Sequence, residues 1–150
     1  MDEQASPKPV PERLRVVIVD DDAEMRALLR DALEREGFRV REQPAGDQLI
    51  PLMVEWKPDA VVLDKEMAGS SGLDLLCEIR RHHPGTPVVL VTAFGGAAVE
   101  AEALRLGAAY YMDKPFRVSR LFEVLRSVVG QAASRNELAA GRANGDPGID

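Results

Sequence analysis

Residues 15–26 read RVVIVDDDAEMR, four apolar residues (Val16 to Val19) running straight into Asp20, Asp21 and Asp22. An unbroken β-branched run with no polar alternation suits a strand buried on both faces, as in a parallel sheet covered by helices. Beyond the acids, Met25, Leu28, Leu29, Ala32 and Leu33 recur at helical spacing, and Gly37 supplies a stop. The three carboxylates repel one another at the rim of this core. Either they are solvated loop acids that cap the helix, or a cation belongs among them.

The same alternation continues along the chain. Leu14–Val19, Arg39–Glu42, Ala60–Leu63, Val88–Val91 and Ala109–Met112 have strand character, three of them apolar throughout. Helical patterns separate them. Leu73, Leu76 and Ile79 follow Ser70-Ser71, which can provide an N-cap; an Ala-rich stretch at 97–106 stops at Gly107; and Val118, Leu121, Phe122, Leu125, Val128 and Val129 form the clearest stripe. The helix within 46–56 contains Pro51, tolerated only in a first turn, so it should start late or be distorted. Strict alternation predicts an α/β fold, a doubly wound five-stranded parallel sheet with five helices.

Residues 1–13, with three prolines and mixed charges, read as a disordered leader. Residues 14–131 form the body, and 132–150 read as a polar tail or linker. Net charge is −6 and no basic stripe is visible, which argues against direct nucleic-acid binding. The lone Cys77 allows no internal disulfide and suits a reducing compartment. Its helical position suggests a packing role. Without a signal peptide or an apolar run of about 20 residues, no membrane insertion is expected and the location should be cytoplasmic.

In a parallel sheet the carboxyl ends of all strands share one edge, where ligands bind. Here those ends carry Asp20-Asp21, Asp64, Thr92 and Lys114. Oxygen-only ligands select a hard cation such as Mg2+. A carboxylate among them can attack phosphorus, and a lysine and a hydroxyl can neutralise the transferred group. His82-His83 fall at the opposite edge beside a Pro84-Gly85 turn and are not expected to bind metal.

The stretches VIVDDD (17–22), VVLDKEMAGSSG (61–72), VVLVTAFG (88–95) and GAAYYMDKPF (107–116) together resemble the receiver domain of two-component response regulators, over residues 14–130. The resemblance implies a flavodoxin-like fold with Asp64 as phosphoacceptor. It implies Asp21 as a direct metal ligand, Asp20 as a ligand through water, and the Glu66 backbone carbonyl completing the protein's share. Thr92 resembles the family's switch hydroxyl, Lys114 its phosphate-binding lysine, Tyr111 its rotating aromatic and Pro115 the proline that follows a cis bond. Tyr110 falls on the other strand face, and Asp22 reads as a helix N-terminal acid. Where the family usually has Met-Pro and Asp-Gly after the acceptor, this chain has Met67-Ala68 and Ser71-Gly72. Phe94, two past Thr92, is expected over the pocket mouth.

The resemblance further implies a phosphoacceptor rather than an enzyme, one that promotes its own phosphorylation and dephosphorylation. Its donor would be a sensor histidine kinase or histidine phosphotransfer protein, docking near Met25, Leu28 and Phe116. A downstream protein would read the face of helix 4, strand 5 and helix 5. Two alternatives stand beside this. One is a receiver-like interaction module that works without phosphorylation. The other is a haloacid-dehalogenase-like phosphatase, whose Asp-x-Asp turn is poorly matched by Asp20-x-Asp22 leading directly into a helix.

Overall fold

A computed structural model describes residues 13–145, with side chains through 138. Five parallel strands, β1 (Arg15–Val19), β2 (Arg39–Gln43), β3 (Ala60–Asp64), β4 (Val88–Thr92) and β5 (Tyr110–Asp113), lie in the order β2-β1-β3-β4-β5. Five helices alternate with them: α1 (Ala23–Arg35), α2 (Leu49–Trp56), α3 (Gly72–His82), α4 (Ala97–Arg105) and α5 (Val118–Gly145). This is the doubly wound five-stranded parallel sheet with five helices that the alternation predicts, in the flavodoxin-like strand order that the resemblance implies.

The apolar runs do what their composition requires. In β1, Val17 and Val19 join one core with Leu49 and Met53 of α2, Leu76 and Ile79 of α3, and Ala103 of α4. Val16 and Ile18 enter a second core, with Leu29 and Leu33 of α1 and Leu121, Leu125 and Val128 of α5. All of β3 and β4 is buried, since both strands lie inside the sheet with helices on each face. The edge strand β2 is partly exposed and correspondingly polar.

Pro51 sits third in α2, inside the first turn where its missing N–H costs nothing, so the helix starts late as expected. Its last residue, Trp56, packs against the first core, and the Arg41 guanidinium lies 5.0 Å over its ring. The Arg15 side chain, at the amino end of β1, donates to the Trp56 carbonyl.

Two features depart from the sequence reading. A short antiparallel ladder, Glu66–Met67 against Ser70–Ser71, interrupts the loop after β3. And the boundary expected after residue 131 is not a break in secondary structure: α5 continues for 28 residues to Gly145. Among the residues of α5 whose side chains are described, Ala132 is the last that is buried, and Leu138 is exposed. Ala, Leu, Glu and Arg keep a helix going without an apolar stripe, because their intrinsic propensity is high and no proline intervenes before residue 147. The expected leader, apart from Arg13, and residues 146–150 lie outside the described residues. No described helix is long and apolar enough to cross a membrane.

Candidate functional site

The chain passes from β1 to β2 on one side and returns to β3 on the other, so strand order reverses between β1 and β3. Ligands of open parallel sheets bind at such a reversal, beyond the carboxyl ends. Asp20 and Asp64 stand at those two ends, 2% and 4% exposed.

Each acid is held differently. Asp22 caps α1, accepting the N–H groups of Glu24 and Met25. Asp20 turns back into the sheet edge, where its Oδ1 accepts the Asp22 N–H at 2.9 Å. Asp21 reaches across to the loop after β3 and accepts the Ala68 N–H at 2.7 Å. Asp20, Asp21 and Asp64 each offer an oxygen within 4.8 Å of the others. Lys114, brought in from the end of β5, bridges two of them: Nζ lies 3.3 Å from Asp20 Oδ2 and 3.2 Å from Asp64 Oδ1. The peptide bond joining Lys114 to Pro115 is cis.

One ammonium does not neutralise three carboxylates. Burial, and then the neighbouring Asp20 charge, push the Asp64 carboxyl up to about 6 against the pull of Lys114. Burial draws the Lys114 ammonium down, yet Asp20 and Asp64 outweigh it and leave its pKa raised. The cluster therefore has hard oxygen donors, excess negative charge and one strained protonation equilibrium, a donor set that fits a divalent cation such as Mg2+.

Sequence reasoning missed one group here and, for a second that it placed beside the site, the bonds it makes. Arg26 donates to the Asp20 carbonyl at 2.6 Å and is itself held by Glu42 of β2 at 3.0 Å, bracing the acidic turn from behind. The Glu66 side chain is the other. Its Oε2 accepts the Thr92 hydroxyl and the Lys65 ammonium (3.0 Å), and its Oε1 accepts the Ala93 N–H at 3.1 Å. Burial would raise this carboxyl, but the bonds from Thr92, Lys65 and Ala93 outweigh it and hold it below its usual range. No spacing rule marks either contact in advance.

Phe94 is not over the pocket. It is 73% exposed, because its N–H turns inward to Thr92 Oγ1 at 3.0 Å and its ring is thrown outward. Cys77 is exposed rather than packed. Leu28 is also exposed, while Met25 and Phe116 pack partly against the second core. Tyr110 takes the second-core face, where Arg120 donates to its hydroxyl.

Tyr111 points inward, 8% exposed. Its hydroxyl donates to Asp113 at 2.8 Å and accepts the Gly96 N–H at 3.1 Å. Burial, then the bond to Asp113, raise its pKa. The seat exists only because residue 95 is glycine: a Cβ there would fall 1.6 Å from the Tyr111 hydroxyl. Gly95→Ala should expel the ring. In a Tyr110→Phe background, spectrophotometric titration is expected to find the remaining phenol closer to the ordinary tyrosine range than in the parent. An unmoved titration would refute the seat.

The family model of the response regulator receiver domain matches residues 16–126. Chemotaxis protein CheY of Thermotoga maritima is 36% identical over 115 residues, covering 76% of this chain and 96% of that protein. Transcriptional regulatory protein CpxR of Escherichia coli is 33% identical over 136 residues, covering 91% of this chain but 57% of CpxR, so the chain spans little more than half of that regulator. The BeF3-activated N-terminal receiver domain of Klebsiella pneumoniae RstA superposes with a TM-score of 0.72 at 30% identity, over 77% of this chain and 97% of that one.

Proposed function

The chain belongs to the response regulator receiver domain family, and from that premise we propose that it takes a phosphoryl group onto Asp64 from the phosphohistidine of a sensor histidine kinase or a histidine phosphotransfer protein. The observation that carries this is Lys114 bridging Asp20 and Asp64, with Asp21 beside them.

Asp64 Oδ1 is already engaged by Lys114 and, at 3.4 Å, by the Glu66 N–H. Oδ2 has no donor among the described residues, which favours it as the nucleophile. With a pKa of about 6 the carboxylate is ionised at neutral pH and more basic than an ordinary aspartate. As its bond to phosphorus forms, the phosphorus–nitrogen bond breaks and the electron pair returns to the imidazole. Lys114 and the Thr92 hydroxyl would take charge from the phosphoryl oxygens. Asp21, Asp64 and the Glu66 carbonyl would hold Mg2+ directly and Asp20 through water, the ion supplying further charge neutralisation. The modified chain would then signal through the α4–β5–α5 face, and return to rest by hydrolysis that its own residues assist.

Incubation with acetyl phosphate and Mg2+, followed by intact-mass measurement, tests this. One added phosphoryl group per chain is expected. An unmodified chain would favour an interaction module, and catalytic turnover of phosphate esters would favour a phosphatase. Asp21→Ala should weaken Mg2+ binding in calorimetric titration by on the order of tenfold or more, since it removes a charged ligand and leaves Asp64 in place. Unchanged affinity would move the cation elsewhere.

A further inference from the structure

Glu66 places its carboxylate on partners different from those of the three clustered aspartates. A hydroxyl, a backbone amide and an ammonium converge on it, from Thr92, Ala93 and Lys65. Such a set of donors suits an anion. In the sheet, Asp64 pairs with Val91, so Thr92 and Ala93 are the next residues past the acceptor's own neighbour. A phosphoryl group on Asp64 would bring anionic oxygens to that place, needing donors of the same kind.

Building on the receiver reading above, we propose that the Glu66 carboxylate is an internal stand-in for the phosphoryl anion, occupying the Thr92 hydroxyl and the Ala93 N–H and holding the segment 92–96 with Tyr111 seated inward before any phosphoryl group arrives. The connection is continuous. Thr92 donates to Glu66 and accepts from the Phe94 N–H; two residues on, the Gly96 N–H holds the Tyr111 hydroxyl. The two-state element is Tyr111 itself, seated over Gly95 or expelled from it.

A threonine hydroxyl has a single proton, so Thr92 serves one anion at a time. An incoming phosphoryl group must therefore displace Glu66 from Thr92, and the exchange changes which anion holds the hydroxyl without moving Tyr111. Glu66 is thus a positioning residue, and the outward display of Phe94 belongs to the resting chain as well as to the phosphorylated one.

Fluorine NMR of the full chain carrying 3-fluorotyrosine decides the matter. The chain has two tyrosines, and Tyr110→Phe assigns the Tyr111 signal. In wild type, the Tyr111 resonance is expected to hold its position when Mg2+ and beryllofluoride are added. In Glu66→Ala it should start displaced, the unseated population having grown roughly tenfold for a lost charge-assisted bond, and return to the wild-type position with beryllofluoride. That return separates a missing anion from general damage, which an added anion does not repair. A Glu66→Ala signal that starts at the wild-type position overturns the proposal. So does a wild-type signal that moves as far as the variant's. If wild type takes no phosphoryl group from acetyl phosphate, the receiver reading fails instead, and the starting position of Glu66→Ala still decides the role of Glu66.

Discussion

Asp64→Asn is expected to leave the chain without a stable phosphoryl adduct and, at the same time, to make the metal-free protein more stable at neutral pH. The first effect follows from geometry. Asp21 is tied to the Ala68 N–H, and Asp20 is engaged through both oxygens, by Asp22 and Lys114, so neither substitutes for the missing nucleophile. The second follows from the raised pKa. Burial and Asp20 lift Asp64 from 3.8 to about 6. Between those values the folded chain holds a proton that the unfolded chain has released, so stability falls as pH rises through this window and stays low above it. A shift of this size corresponds to about 2–3 kcal/mol. The amide removes that penalty above about pH 6 and should change little below about pH 4. Urea denaturation near both limits, without metal, measures the difference. A variant no more stable than wild type at neutral pH would show that Lys114 already balances the cluster. A variant that still gained the mass of one phosphoryl group would reassign the acceptor.

Gly72→Ala should be the most damaging single methyl in the molecule. Gly72 opens α3 directly against the end of β3, where its N–H donates to the Lys65 carbonyl at 2.9 Å. An added Cβ would lie 2.5 Å from the Asp64 carbonyl oxygen and 2.5 Å from the Lys65 Cα. Both are backbone atoms within a buried strand end, so no side chain can rotate away to relieve the overlap. Either α3 lifts from the sheet or β3 shifts, at a cost of about 3 kcal/mol, a large part of the margin of a small domain. If β3 gives way, Asp64 moves with it and phosphorylation slows as stability drops. Gly130→Ala is the matched control. It lies within α5 with nothing inside 4 Å of the added methyl, and should stabilise by about 0.5–1 kcal/mol. Thermal unfolding of both variants in parallel tests the pair. Equal melting temperatures would mean that α3 seats itself without the close approach.

What was legible in the sequence was whatever leaves a periodic or composition-based trace. Val16–Val19 and Val88–Val91 announce a sheet covered on both faces, and the acids, the threonine and the lysine fall at strand ends because the strands are visible. Pro51 told where α2 begins, since proline's constraint is local. The misses have a different origin. The length of α5 rests on helix propensity without burial, so a reading of apolar stripes ends it too early. The direction of Phe94 depends on the turn made by residues 92–96, in which Gly96 adopts φ 122°, and a side chain's apolarity does not say which way such a turn throws it. The bonds Glu66 makes to Thr92 and Ala93 span 26 and 27 residues and follow from the register of β3 against β4. Pairing is a property of the folded sheet, and one strand read alone does not contain it.

The placement of Trp56 has an optical consequence. It is the only tryptophan, and it sits where Arg15 meets its carbonyl, at the start of β1, whereas the acidic cluster lies past the end of that strand. Five residues of extended chain separate the two, roughly 15 Å. Its emission is governed by the Arg41 guanidinium over the ring and by the first core beneath it. Indole fluorescence will therefore report unfolding of this protein faithfully while staying dark to ion binding at the opposite rim, and a flat quenching curve on adding Mg2+ would say nothing about whether the ion had bound.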